Sequence, residues 1–374
     1  MKYRTVPSVL DRPSLLGFGC MRFPTLPGGA IDEGEAQLLL DRAFQGGVNY
    51  YDTAYFYHNG TSESFMNRAL AQYPRESYYL VSKLPTTLVH SLEDAKRLFG
   101  EQMERLQRDY LDVYLLHNLN GARWRQMRDM GVVDWCLDLQ RQGVFRRFGF
   151  SFHGSYEEFE EILRARHWDL CQIQLNYMDT HEQAGLRGYA LTEELGVPLV
   201  IMEPVKGGAL ANPPEQVAEL FQQAKPGASA ASWALRWVAS LPNVMTVLSG
   251  MSTMEQVEDN LATFADFQPM TDAEKAVVEQ GTALFRARLN SGCTGCRYCM
   301  PCPAGVDIPA NFKTWNELGG YQEPRRAAGH WKELEEAEKA KNCISCGQCE
   351  EACPQKLNIR ADLATLQVQL DKLL

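Results

Sequence analysis

From Leu15 to about Phe267, eight short apolar runs alternate with longer stretches of helical pattern. The runs are Leu15–Gly19, Val48–Tyr51, Tyr78–Ser82, Leu111–Leu116, Arg147–Ser151, Leu170–Leu175, Val197–Met202 and Val244–Leu248. Each is strand-length, and most are followed by polar or Gly-containing turns. Between them, apolar residues recur at helical spacing. Leu38, Leu39 and Phe44 do so in one stretch, and Leu92, Ala95, Leu98, Phe99, Met103 and Leu106 in another. Ser91, Ser155 and Thr253 read as N-caps, each with an acidic residue two or three positions on. Eight strand–helix units in about 250 residues match one closed α/β barrel of the (β/α)8, or TIM, type. A doubly wound sheet is the rival. Against it, Gly17-Phe18-Gly19 lacks the third glycine of a dinucleotide-binding turn. A tight turn is the simpler reading of that pair.

After Pro269-Met270-Thr271-Asp272 the composition changes. The expected division is a barrel over 1–270 and a small helical and looped domain over 271–374. A helix over 272–289 leads into a first group of cysteines. A charged helix over 331–341, read as a solvated face, precedes a second group. Of 11 cysteines, only Cys20, Cys136 and Cys171 stand apart from these groups, and Cys136 and Cys171 read as small core residues. The first group is Cys293-Thr294-Gly295-Cys296-Arg297-Tyr298-Cys299-Met300-Pro301-Cys302-Pro303. The second is Cys343-Ile344-Ser345-Cys346-Gly347-Gln348-Cys349-Glu350-Glu351-Ala352-Cys353-Pro354. Disulfides suit small secreted domains, so clustered thiols here point to metal. Three cysteines at three-residue steps can ligate three irons of a cube, and a Cys-Pro ending lets each run lend its last thiolate to the other cluster. This crossed pattern, that of two-cluster bacterial ferredoxins, assigns Cys293, Cys296, Cys299 and Cys353 to one [4Fe–4S] cluster. Cys343, Cys346, Cys349 and Cys302 go to the other. The first run's last spacing is one residue short of the usual pattern. Structural zinc is the alternative, but zinc ribbons use two separated Cys-x-x-Cys knuckles rather than four cysteines in a row. Clusters that only hold the domain together are a second alternative.

The formal charge is −10, from 37 basic and 47 acidic residues, which disfavours phosphate-led nucleic-acid binding. No apolar run reaches the ~18 residues that span a bilayer. Met1-Lys2-Tyr3-Arg4 is not followed by an apolar signal core, so a cytoplasmic location without membrane contact is expected.

Asp52, Lys83 and His117 follow the ends of predicted strands, and Tyr57 lies five residues after Asp52. Strand ends converge on one mouth of a barrel, where catalytic groups collect. A phenol needs a neighbouring cation to work near neutral pH, and Lys83, held by Asp52, can supply it. His117 can hydrogen-bond a substrate oxygen while Tyr57 donates the proton and a nicotinamide the hydride. The bland readings are a structural Asp52–Lys83 pair and a satisfied His117; four such residues at strand ends favour a site. Arg123, Arg125 and Arg128 follow His117. A βα loop there would overhang the mouth and could hold a carboxylate or phosphate, although a solvated helix face is the stronger reading.

The stretch Tyr51-Asp52-Thr53-Ala54-Tyr55-Phe56-Tyr57, with Gly60-Thr61-Ser62-Glu63, Lys83 and Leu115-Leu116-His117-Asn118, resembles the signature of the aldo/keto reductase superfamily. The similarity continues through Phe148-Gly149-Phe150-Ser151-Phe152-His153, Gln172 to Asn176, Ala234-Leu235-Arg236-Trp237 and Ser249-Gly250 to Asn260. With both cysteine runs, the whole chain resembles the iron–sulfur branch of that superfamily. The resemblance implies the tetrad Asp52, Tyr57, Lys83 and His117. It also implies cofactor contacts from Ser151, Gln172, Gly250 and Asn260, with Phe152 standing where Asn often follows the Ser. The segment from Gly250 to Asn260 holds no Lys or Arg, and its Glu255, Glu258 and Asp259 would repel an adenosine 2′-phosphate, leaving NADP or NAD open.

A hydride carries two electrons and a [4Fe–4S] cluster passes one at a time. The leading expectation is an oxidoreductase that reduces a carbonyl, or oxidises the alcohol, with its clusters coupled to an external electron-transfer protein. The alternatives are a cluster-fed one-electron reductase without nicotinamide and a non-catalytic electron-transfer protein.

Overall fold

The structure is a computed structural model and describes all residues except 7–8, 294, 296, 322–323, 354–355 and 374. Eight parallel strands close into a barrel in sequence order: β1 (Leu16–Gly19), β2 (Tyr50–Asp52), β3 (Tyr79–Leu84), β4 (Leu111–Leu119), β5 (Phe145–Phe152), β6 (Leu170–Gln174), β7 (Leu199–Met202) and β8 (Val244–Ser249). β8 returns to pair with β1. All eight expected runs are strands, each within a few residues of the expected bounds.

Strand alternation divides the buried residues into two shells. Tyr51, Leu80, Tyr114, Leu116, Phe150 and Cys171 belong to the larger core beneath the helices. Tyr50, Val81, Val113, Leu115, Leu170 and Val200 form the barrel interior, together with Val9 and Leu10 from the N-terminal segment. Gly17 is part of β1 and not a turn. A Cβ there would lie 2.7 Å from Thr246 Cγ2 and 3.2 Å from the Tyr50 ring, so the glycine makes room for interior side chains.

The three caps form as expected: Ser91, Ser155 and Thr253 accept from the amides of Asp94, Glu158 and Gln256. In the helix Glu33–Gln45 the buried residues are Ala36, Leu39, Leu40 and Ala43. Leu38 is 56% exposed, because the step from Leu39 turns it off that face.

The chain divides into two compact units, one of residues 1–207 with 231–271, the other of 208–230 with 272–374. In the second unit the helix Glu215–Ala224 packs Val217 and Phe221 against Gly281 of the helix Asp272–Arg286. A further core gathers Val306, Ile308, Phe312, Trp331, Leu363 and Leu366, with Cys299, Cys302, Cys343 and Cys349 packed on it. The charged helix expected over 331–341 is corrected. The helix is Pro324–Glu333, and Trp331 is buried. The chain then breaks into short turns because the Glu338 carbonyl accepts from the Asp307 amide and from Asn311 Nδ2. Among the described residues, no helix is long and apolar enough to cross a membrane.

Candidate active site

The alternation that fills the barrel also aims its polar residues. Asp52 is two residues beyond Tyr50, Lys83 two beyond Val81 and His117 two beyond Leu115, so all three continue inward-facing rows towards the C-terminal mouth. Lys83 and His117 lie within their strands rather than after them. The β4–β5 register shifts between Leu116 and Leu119, where Asn118 takes a left-handed φ of 56°. Such a break re-aims a side chain at a barrel rim. Thr86 Oγ1 holds the His117 carbonyl at 2.6 Å.

The structure brings the four residues together. Lys83 Nζ donates to Asp52 Oδ1 at 2.5 Å, to the Thr53 carbonyl at 2.9 Å and to the Tyr57 hydroxyl at 3.3 Å. The Tyr57 and His117 rings meet edge to face, with centroids 6.0 Å apart. Asp52 and Lys83 are each 1% exposed. Burial works to strip the proton from Lys83, but the Asp52 charge and the hydrogen bonds outweigh it and hold the ammonium. Burial raises the Tyr57 phenol and Lys83 only partly offsets it, so the phenol remains protonated rather than made acidic as the sequence implied. Burial, with help from Lys83, His153 and Arg123, lowers His117 to about 3. The imidazole is therefore neutral.

A buried network that the sequence did not assign supports β3 from outside. Glu63 Oε1 accepts from Ser82 Oγ and Gln102 Nε2, both at 2.6 Å, and Gln102 Nε2 also reaches the Lys83 carbonyl at 3.0 Å. The signal was Glu63 itself, a carboxylate in an otherwise apolar helical face.

Ser151 and Gln172 are register neighbours on β5 and β6, and both are buried. Ser151 Oγ accepts the Asn118 amide at 2.9 Å, while Gln172 Oε1 is buried without a hydrogen-bond partner among the described residues. Such an orphaned acceptor fits an amide donor such as a nicotinamide carboxamide. A separate group lies at the end of β8, where Asn260 Nδ2 donates to Ser249 Oγ at 2.9 Å. There Arg22 lies against Gly250, since a Cβ at Gly250 would be 2.7 Å from Arg22 Cγ. Arg22 is 228 residues away in sequence, so no local motif announces it. Glu258 is paired by Arg42 at 2.6 and 2.8 Å, which offsets one of the charges that disfavoured a phosphate.

In the second unit, Cys299, Cys302, Cys343, Cys346 and Cys349 line one cavity of about 140 Å³. Both Cys299 and Cys302 thus share a cavity with the second cysteine group, although crossed ligation assigns Cys299 to the other cluster. Cys293 is half-buried and Cys353 buried, and Cys296 lies outside the described residues. Among the described residues, no three His, Cys, Asp or Glu side chains gather around one metal-ion position. The thiols are spaced around a space instead. Cys20, Cys136 and Cys171 are buried, and burial raises all three thiols.

A closed parallel barrel with these polar groups converging at its mouth defines an α/β-barrel enzyme. Residues 15–280 match the model of the aldo/keto reductase family, and the chain belongs to that family of oxidoreductases. Residues 292–357 match a 4Fe-4S dicluster domain. An aldo-keto reductase of Mycolicibacterium vanbaalenii is 29% identical over 68% of this chain and 87% of its own length. The L-galactose dehydrogenase of Arabidopsis thaliana is 24% identical over 69% of this chain and 86% of its own. The holo form of an aldo-keto reductase from Bacillus halodurans superposes with a TM-score of 0.63 at 26% identity, covering 75% of this chain and 96% of that one. A Klebsiella pneumoniae aldo-keto reductase solved with NADPH shares the fold, with a TM-score of 0.60 at 20% identity over 72% of this chain and 91% of that one.

Proposed function

We propose that this oxidoreductase reduces a carbonyl to its alcohol, or runs the reverse, with Tyr57, Lys83, Asp52 and His117 as its working residues. The observation that carries the reading is the Lys83 ammonium bonded to Asp52 and lying 3.3 Å from the Tyr57 hydroxyl. A bound nicotinamide supplies the hydride. Ser151 and Gln172 would hold its carboxamide, and Gly250, Asn260 and Arg22 would flank its phosphate end. Arg22 gives that end a cation, which favours use of a nicotinamide over the reading without one. The NADPH bound by the Klebsiella relative supports NADP as the form used.

The substrate oxygen sits between the Tyr57 hydroxyl and the neutral His117 ring. His117 orients it, and Tyr57 gives it a proton as the carbonyl carbon is reduced. The phenolate left behind is stabilised by Lys83, whose charge Asp52 holds in place. Because burial raises the phenol, Tyr57 stays protonated across neutral pH, the state a proton donor needs.

Cys293, Cys296, Cys299 and Cys353 would hold one [4Fe–4S] cluster and Cys343, Cys346, Cys349 and Cys302 a second, and the pair would supply single-electron exchange with an external protein. The domain division is a barrel over 1–270, interrupted by residues 208–230 that pack with the second unit, and a cluster domain over 271–374, in a cytoplasmic protein. The test is an anaerobic assay of Tyr57→Phe with NADPH, NADH and a panel of aldehydes. Turnover is expected to fall on the order of 10²- to 10⁴-fold with cofactor binding retained. Undiminished turnover removes Tyr57 from the mechanism, and failure of both nicotinamides to bind the wild type removes the cofactor. Iron and sulfide analysis of the same preparation checks the clusters.

A further inference from the structure

The three arginines after His117 part company in the structure. Arg125 pairs with Glu161 at 2.8 Å and Arg128 with Asp129 at 2.7 Å, both on the exposed face of the helix Gly121–Asp129. Arg123 turns the other way. Its Nη1 donates to the Asn118 carbonyl at 2.7 Å, and no carboxylate among the described residues pairs with it. Asn118 is the left-handed residue at the β4 register break, directly after His117, and its amide is held by Ser151 Oγ. The guanidinium is therefore fixed one residue from the candidate oxygen-orienting imidazole. One N–H is committed to a backbone carbonyl, and the remaining donors of the fork are left for another partner.

His153 borders the same place. Its amide donates to the Leu119 carbonyl at 2.8 Å, and its ring lies beside Gln183. The Arg123 charge acts on both His117 and His153 and helps to keep both neutral. Glu203 faces His153 as well. The nearby Lys206 is already taken up by Asp179, with both contacts at 2.6 Å. Arg123 is thus a half-buried guanidinium at the mouth whose charge is not neutralised by its own surroundings. Such a fork takes two oxygens of a carboxylate or a phosphate, and a single guanidinium balances the one charge of a carboxylate but not the two of a phosphate.

We propose that Arg123 binds a carboxylate of the substrate, so that the carbonyl reduced at Tyr57 belongs to an oxo acid. The inference rests on the carbonyl-reduction reading for the identity of the reacting group, but not for the anion site itself. Two measurements keep these apart. The first compares kcat/KM for 4-carboxybenzaldehyde and uncharged 4-methylbenzaldehyde in wild type, Arg123→Gln and Arg123→Lys, without air. The wild type is expected to favour the carboxylated aldehyde, and Arg123→Gln to cut that preference on the order of 10- to 100-fold, with Arg123→Lys in between. The second is calorimetric titration of benzoate, with benzamide as the uncharged control, into the full-length wild type and Arg123→Gln. Benzoate binding that weakens by the same factor supports the anion site even when neither aldehyde is turned over, a result that would instead sink the reductase reading. A wild type with no preference for the carboxylated compounds, or a preference that survives Arg123→Gln, overturns the proposal. Circular dichroism of both variants checks that they fold.

Discussion

Lys83 shows how one residue ties stability to chemistry. An ammonium that is 1% exposed is costly unless its charge is met, and here Asp52, the Thr53 carbonyl and the Tyr57 hydroxyl meet it together. The same pairing that keeps the charge buried delivers it to the phenol. His117 is the opposite case, a group kept neutral by burial, with its folded value near 3 against an ordinary value of 6.5. Below about pH 6.5 the unfolded chain takes up a proton that the folded chain refuses. The stability that this histidine contributes is therefore present above 6.5 and lost progressively as pH falls towards 3. His117→Gln is expected to be less sensitive to acid by up to about one proton. Urea unfolding of both proteins at pH 7.5, 6 and 5 tests this; parallel losses would mean that His117 is not buried neutral. Reduction by the wild type should show no histidine ionisation between pH 5 and 8.

At the scale of elements, the strands were legible because alternation and length survive in the sequence. The inward rows Tyr50–Asp52 and Val81–Lys83 follow from period two alone. What could not be read was where a row breaks. The β4 register shift at His117 and Asn118 depends on β5, on Thr86 and on Ser151, none of which adjoins it in sequence. Arg22 against Gly250 is hidden for the same reason. Leu38 was misplaced because the buried face of its helix runs through Ala36, Leu39, Leu40 and Ala43, and a third consecutive leucine falls off it. Asn118 is the element's testable residue, since its φ of 56° suits Asn or Gly and penalises a β-branched side chain. Asn118→Gly is expected to keep the fold and most activity. Asn118→Val should cost about 1–2 kcal/mol and lose most turnover, because straightening β4 re-aims His117 and releases Arg123. Thermal melts and anaerobic kinetics decide it; a Val variant as stable and active as the Gly variant would show that the break carries no strain.

At the scale of the whole molecule, two units share one chain in an order that the sequence conceals. Residues 208–230 lie between β7 and β8 in sequence yet belong to the unit that carries the cysteines. Their helix Glu215–Ala224 buries Val217 and Phe221 against the helix Asp272–Arg286. A boundary drawn at the composition change therefore cuts a packed helix pair apart, leaving two apolar side chains in water at roughly 1.5–3 kcal/mol each. A chain ended after residue 271 is expected to melt lower and to aggregate, whereas one ended after residue 290 keeps the pair and behaves better. Light scattering and thermal melts of the two distinguish them. Equal behaviour would mean that the insertion needs no partner helix and that the barrel can be separated at the boundary its composition marks. The difference matters for the redox reading, because a barrel tested alone reports on carbonyl reduction only if removing the cysteines leaves its own chain properly packed.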